Sequence, residues 1–430
     1  MLLSFRVANH RSLRDEQQLN LSPVYDADRP PGTAWEAVPV AAVFGANAAG
    51  KSNVVGALTF MSRMVQSSHL EAEPGGGISR SPFALDEDAR TEPSWYVTDL
   101  MLDGVRHTYG FSIDDERVQD EWLYSYPRGR KRVIFQRSAE GIDFGDSVPE
   151  KELRLVESIT EPNALFLSVA ARSRQSLVQP VYRWFTSSDS SGNPLLFDPA
   201  DVLADPQRAP AVVSLLRAAD LGIEDAGVDR RPGFPEQLPF DFEQSTIPRT
   251  LTVPVGLGSR RRRQRRVWIA QRGRNGPVRL GLGAQSEGTR MLLSYAGPVL
   301  DTLEKGGLLV IDEVDASLHP RLTAHLIKLF QDPATNPHRA QLLLTTHDAS
   351  LLGRSGGEEI LKRDQVWFVE KNAYGETTLF PLSDFRPRQE ENRERRYLGG
   401  SYGAVPFLSD ERFEEAVAAR GRHDDAQPEA

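Results

Sequence analysis

Cysteine is absent from the 430-residue chain. That excludes disulfide frameworks, thiolate metal sites and cysteine nucleophiles. No run approaches the roughly 18 consecutive apolar residues of a membrane-spanning helix, so no membrane partner is expected. The opening MLLSFRVANHRSLRDE is broken by Arg6 and Asn9 before a secretory apolar core can form. These absences leave the cytoplasm as the expected location. Lysine and arginine number 51 against 60 aspartates and glutamates, a net charge of −9. The chain is therefore not basic throughout, and contact with nucleic acid would have to be local. Neither an internal repeat nor a low-complexity tract is present beyond one arginine run.

Apolar residues make up 39% and charged residues 26% of the chain, ordinary for a globular protein that could hold two or three domains by length. Residues 1–149 read as strands and turns with one inserted helix. Within them, 94–114 alternates apolar and polar residues around Asp103-Gly104, a hairpin signal. Residues 150–245 carry helical patterns, notably 163–185, among proline- and aspartate-rich loops. Strand runs return in 246–408 as LLVIDE (308–313), QLLLTT (341–346) and QVWFVE (365–370). The remainder, 409–430, is a polar tail expected to fray.

Between the apolar run 38–44 and a helical pattern lies Gly45-Ala46-Asn47-Ala48-Ala49-Gly50-Lys51-Ser52, which fits G-x-x-x-x-G-K-[ST] at every fixed position. Glycines let the backbone fold so that successive N–H groups face phosphate oxygens. Lys51 reaches the terminal phosphates, Ser52 offers a hydroxyl to Mg²⁺, and the following helix points its positive end at the same anion. With Asn47 and Asn53 alongside, this stretch is the candidate ATP site. A partner carboxylate appears only 260 residues after Ser52, in GGLLVIDEVDASLHP (306–320). Leu308–Ile311 reads as a strand for the middle of a parallel sheet. Asp312 at its carboxyl end is placed to act on Mg²⁺ directly or through water, and Glu313 to orient the attacking water.

That separation resembles the ABC/SMC-head superfamily, whose nucleotide-binding unit is interrupted by an insert. Three further pieces are similar to its motifs. Ser286-Glu287-Gly288-Thr289 looks like a variant signature motif, with Glu287 where the second glycine usually stands. Ser286 can cap the next helix and leave its N–H groups free for an anion. In the family, Ser286 and Gly288 would contact the γ-phosphate held by the other subunit. DASLHP (315–320) resembles the D-loop, with Asp315 leading. His347, 34 residues after Glu313, stands where the switch histidine does and would sense the γ-phosphate. The segment VANHRSLRDEQQLNL resembles the opening strand of SMC-type heads, which would bring Arg11 near the nucleotide. For the Q-loop glutamine, Gln119 and Gln136 both remain open.

The resemblance implies an α/β fold, an ABC/SMC-head-like P-loop NTPase with a mixed sheet, an antiparallel β lobe and a helical insert. It implies ATP and Mg²⁺ as cofactors, Glu313, His347 and Lys51 as the catalytic set, and active sites formed between copies in a homodimer or higher oligomer. Prolines 162, 180, 194, 199, 206 and 210 and the lack of heptads exclude a long coiled-coil arm. About 80 residues follow His347, too few for the Toprim domain of an overcoming-lysogenisation-defect nuclease. What remains is similar to compact "AAA family" bacterial ATPases of the RloA-like and PARIS type, which work beside a separately encoded effector in phage defence. The alternative is a DNA-associated SMC-like ATPase in repair or chromosome processing. NRERRYLGGSYGAVPFL (392–408) resembles the closing segment of the defence group and suits docking on the core or on a partner.

SRRRRQRRVW (259–268) places six arginines in Arg260–Arg266. Three readings stay open: a solvated loop in a hairpin between TLTVPVG and RVWIAQRG, a phosphate-backbone contact, or charge complementarity with an acidic partner.

Overall fold

The apolar runs ending at Phe44, Ile311, Thr346 and Val369 are short and continuous, as strands covered on both faces require. They form the middle of a six-stranded sheet. The computed structural model describes residues 1–30, 32–146, 148–192, 198–219, 222–229, 265–316, 318–388, 391–406, 414, 415 and 417. In it the strand order is Thr377–Pro381, Val366–Lys371, Val40–Phe44, Gln341–Thr346, Leu308–Ile311 and Asp189–Gly192. Neighbours run parallel, except that Thr377–Pro381 turns back antiparallel along the edge. Phe44 stands opposite both Thr346 and Phe368, and Ile311 opposite Leu344. The chain therefore leaves adjacent strands at Gly45, Asp312 and His347 along one carboxyl-end rim.

Helix Lys51–Glu71 follows the first of these strands and buries Val54, Val55, Leu58, Met61 and Val65, a spacing that keeps one face on the core. That core is shared with a seven-stranded antiparallel sheet, ordered Gln17–Asn20, Leu2–Ala8, Ser94–Leu102, Val105–Ile113, Val118–Tyr126, Arg132–Ser138 and Gly141–Phe144. The hairpin expected at Asp103-Gly104 is present. Both turn residues have positive φ, 49° and 75°, as a two-residue turn matched to strand twist requires. The expected mixed sheet and antiparallel lobe are thus both found.

By Cα packing the chain divides into two compact units, Met1–Asn193 with Thr302–Ala430, and Pro194–Asp301. The stretch expected as one insert, 150–245, straddles that division. Its helices Glu150–Glu157, Phe166–Arg172 and Gln179–Ser187 belong to the first unit. The pattern at 163–185 becomes two helices, with Pro180 in the first turn of the second, where a missing N–H is harmless. A buried carboxylate ties this region to the antiparallel sheet. Glu121, fully buried, accepts the N–H groups of Phe166 at 2.6 Å and Leu167 at 2.9 Å, and the Tyr109 hydroxyl at 3.0 Å. Burial raises its pKa against the opposing pull of Arg137.

The second unit contains helices Pro199–Leu203 and Ala209–Ala218 and an antiparallel sheet, Ile223–Asp229, Arg266–Gly273 and Gly276–Gly281. RVWIAQRG, read as one half of a hairpin, forms the middle strand of this sheet. From Trp268 to Gln271 both edges of this strand are taken, by Gly227–Ile223 on one side and Gly281–Val278 on the other. TLTVPVG itself and Arg260–Arg263 lie outside the described residues, as does most of the 409–430 tail.

The closing segment docks on the core of the first unit. Asn392 caps helix Arg393–Leu398, accepting the Arg395 N–H at 2.9 Å. Tyr397 and Tyr402 stack on Phe368 with centroids 5.5 and 5.6 Å away. Arg393, 2% exposed, donates to Leu361 O at 3.0 Å and pairs with Glu359. Among the described residues, no helix is long and apolar enough to cross a membrane.

Candidate functional site

The loop after Phe44 is shaped by what lies beneath it. Ala48 and Gly50 take positive φ, 62° and 111°. A Cβ at Gly45 would come within 2.7 Å of Val369, and one at Gly50 within 2.7 Å of Thr377 Cγ2. Both glycines are therefore needed for close approach to the edge hairpin as well as for backbone freedom. Thr377 Oγ1 donates to Ala49 O at 2.8 Å and lies 2.7 Å from Ser12 Oγ, which accepts from Asn53 Nδ2 at 2.5 Å. Asn53 is thus already engaged in holding the loop.

Ser52 and Asp312, distant in sequence, meet on the rim: Ser52 Oγ donates to Asp312 Oδ1 at 3.2 Å. Thr345 Oγ1 donates to the same oxygen at 2.6 Å and accepts the Glu313 N–H at 2.7 Å. Glu313 sits in the left-handed region at φ 52° with an exposed side chain, a conformation that non-glycine residues rarely adopt without surrounding restraint. Lys51 Nζ donates to Gly45 O at 2.9 Å and Ala46 O at 3.1 Å, and lies 3.2 Å from His347 Nδ1. Facing an ammonium, Nδ1 accepts, which puts the proton of the neutral imidazole on Nε2. Burial pulls the Lys51 pKa down, while Glu313, Asp315 and Asp312 pull it up. The Asp315 carboxylate accepts the backbone N–H of His347 at 3.1–3.2 Å.

These groups surround a cleft of about 500 Å³, lined by Asn47, Lys51, Ser52, Asn53, Glu313, Asp315 and His347. All seven were legible as candidates in the sequence. Lys371, at the end of its strand, also lines the cleft and was not. Neither were Thr345, Thr377 and Ser12. Thr345 had a signal, a buried hydroxyl directly after the apolar run Leu342–Leu344 and two residues before His347.

Other candidates lie elsewhere. Arg11 is exposed beside the helix, its Nη1 3.4 Å from where a Gly56 Cβ would be, and it does not line the cleft. Gln119 and Gln136 belong to the antiparallel sheet, where Gln119 donates to Asp114 and Gln136 is exposed. Ser286 and Gly288 belong to the second unit. Ser286 is exposed and caps helix Glu287–Lys305, accepting the Thr289 N–H at 3.1 Å.

For a metal, the adjoining Ser52 Oγ and Asp312 Oδ1 are hard oxygen donors. No cluster of three histidine or acidic side chains stands close enough to cage an ion among the described residues. A hydroxyl and one carboxylate suit Mg²⁺, which keeps waters and shares phosphate oxygens rather than taking an all-protein shell.

No curated protein matches the chain. Among solved structures it is similar to the SMC head domain from Thermotoga maritima, with 14% identity, 88% of this chain and 98% of that chain covered, and TM-score 0.41. It is also similar to an SMC head bound to the C-winged helix domain of ScpA (12% identity, 90% and 99% covered, TM-score 0.41). A third is the Smc head domain with an extended coiled coil, bound to the C-terminal domain of ScpA derived from Pyrococcus furiosus (12% identity, 90% and 97% covered, TM-score 0.39). A family model described as "AAA domain, putative AbiEii toxin, Type IV TA system" matches residues 40–353, from the strand before the phosphate loop to just past His347. With that match covering well over half its length, the chain belongs to this AAA-domain family.

Proposed function

We propose that the chain binds Mg·ATP and hydrolyses it, and that the nucleotide closes two copies against each other as a switch. The observation that carries this reading is the meeting of Ser52 and Asp312 at 3.2 Å beside Lys51, on a rim to which three parallel strands deliver their ends. In this reading the loop N–H groups and Lys51 hold the triphosphate. Ser52 and Asp312 would hold the metal, which would supply charge neutralisation to the triphosphate. Glu313 polarises the attacking water, and His347 steadies the γ-phosphate side of the cleft. Ser286 and Gly288 of a second copy complete the site, an arrangement natural to a two-fold dimer. The exposure of Ser286 and Glu287 at the start of helix Glu287–Lys305 supports this.

For the biological setting we propose a cytoplasmic bacterial defence pair, in which this ATPase senses and a separately encoded effector acts. The family description, which names a putative AbiEii toxin and a Type IV TA system, supports a paired system.

The test is Glu313→Gln, sized by light scattering with and without Mg·ATP while phosphate release is followed. The variant is expected to bind ATP, accumulate as a dimer, and lose turnover by at least ~100-fold, the scale of a missing general base. Hydrolysis at the normal rate overturns the role of Glu313. A wild-type chain that binds no ATP overturns the reading as a whole.

A further inference from the structure

The second unit carries a surface that the nucleotide site does not use. Strand Arg266–Gly273 alternates its side chains across the sheet. One face presents Ile269, fully buried, opposite Ala226, in strands that lie against helices Pro199–Leu203 and Ala209–Ala218. The other face presents Arg266, Trp268 and Arg272, with Arg279 of the neighbouring strand opposite Ala270. The Trp268 ring lies against Gly227, where a Cβ would come 2.6 Å from Cζ2. The Arg279 guanidinium sits over the same ring, 3.9 Å from its centroid. This is a cation–π stack that holds a planar guanidinium in place at the surface.

Cations outnumber carboxylates here: Asp225 and Asp229 stand among Arg266, Arg272 and Arg279, and Arg274 lies in the turn after the strand. Residues 265–281 contain five arginines and no carboxylate, in a chain whose net charge is −9. Arg265 pairs with Asp201 and Arg272 with Glu224, each at 3.1 Å. Arg266, Arg274 and Arg279 are exposed and form no ion pair among the described residues. Asp225 and Asp229 share the face, but neither comes within ion-pairing distance of those three. All five cations are arginine, whose fork fits phosphate oxygens two at a time. Gly276 and Gly281 are exposed with open space where a side chain would stand, which lets a chain approach closely. An acidic protein would need a buried apolar anchor at its contact. Among the described residues of this face the one large aromatic, Trp268, is already covered by Arg279.

We propose that this exposed sheet face binds the phosphodiester backbone of a nucleic acid, with Arg266, Arg274 and Arg279 taking phosphates and Trp268 fixing the orientation of Arg279. The proposal does not depend on the nucleotide site and stands or falls separately from it.

The test uses the full chain and fluorescein-labelled 30-residue probes of duplex DNA, single-stranded DNA and single-stranded RNA, with polyglutamate as the protein-like polyanion. Anisotropy is read at several salt concentrations between 50 and 200 mM. Wild type is expected to bind at least one nucleic acid in the micromolar range or better at 50 mM salt. Replacing Arg266, Arg274 and Arg279 together by glutamine should weaken that binding at least roughly tenfold and make the salt slope shallower by about two to three. Its melting temperature and ATP binding serve as the check on folding. Arg279→Lys keeps the charge but loses the planar stack, and should fall between the two. No binding by wild type at 50 mM salt, an unchanged triple variant, or equal binding of polyglutamate would each overturn the proposal. The three nucleic-acid arms identify which polymer is preferred.

Discussion

Thr345 donates its hydroxyl proton to Asp312 Oδ1 across 2.6 Å while accepting the Glu313 N–H at 2.7 Å. One fully buried side chain therefore fixes both carboxylate residues of the rim. Thr345→Val keeps the shape but leaves the Glu313 N–H unpaired and Asp312 free to rotate. Partners that orient a metal-binding carboxylate are typically worth 10–100-fold. We expect kcat to fall by roughly that factor with a raised Mg²⁺ requirement, little change in ATP binding measured without metal, and recovery in Thr345→Ser. A Thr345→Val enzyme with wild-type Mg²⁺ titration and rate would show that the clamp is only packing.

The phosphate loop rests on Thr377, so a methyl group at Gly50 meets that side chain and also a φ of 111°. Strain of this kind costs of order 1–3 kcal/mol. Gly50→Ala should weaken ATP binding roughly tenfold or more by calorimetry. The melting temperature of the ligand-free chain should shift less than a core truncation shifts it. Undiminished affinity would mean that the loop tolerates another path over Thr377.

Burial, and secondarily the charge of Arg11, lower the His10 pKa from 6.5 to about 4. Its Nδ1 lies 2.9 Å from the Tyr96 hydroxyl. The unfolded chain takes up this proton first as pH falls, so stability is full above pH 6.5 and drains away as pH drops through about 4. Converted at 1.36 kcal/mol per unit, the contribution is roughly 3 kcal/mol. Urea unfolding at a series of pH values should show an acid limb that is shallower in His10→Gln over this window. Parallel limbs would assign the acid sensitivity to other groups.

Tyr402 is 1% exposed, stacks on Phe368, and bonds its hydroxyl to Glu391 at 3.1 Å. Tyr402→Ala should cost about 3–5 kcal/mol in chemical denaturation, whereas Tyr402→Phe should cost about 1 kcal/mol. A neutral Tyr402→Ala would return the closing segment to the role of a partner-binding arm.

The sequence disclosed most where backbone chemistry is local. Gly45–Ser52 needs its residue types at fixed spacing, Asp103-Gly104 needs positive φ, and Leu308–Ile311 is apolar because both of its faces are covered. What remained hidden depends on register between distant strands. Nothing near Thr377 announces that it supports Ala49, 328 residues away, and Lys371 reaches the cleft only because its strand pairs with Val40–Phe44. The same holds for RVWIAQRG, whose strand pairs with Ile223–Asp229 and Gly276–Gly281. Periodicity identifies a strand but not its neighbours. Arg11 was placed by motif analogy, and the structure sets it beside Gly56, outside the cleft lining.

Lys51 is tethered to two carbonyls and an imidazole. An incoming phosphate must win its ammonium from all three, and the same displacement strips His347 Nδ1 of its donor. Occupancy of the loop and unlocking of the histidine are then a single event, which an adenosine lacking phosphate could not trigger. The imidazole nitrogen resonance of His347 should move with phosphate occupancy and stay still for the bare nucleoside.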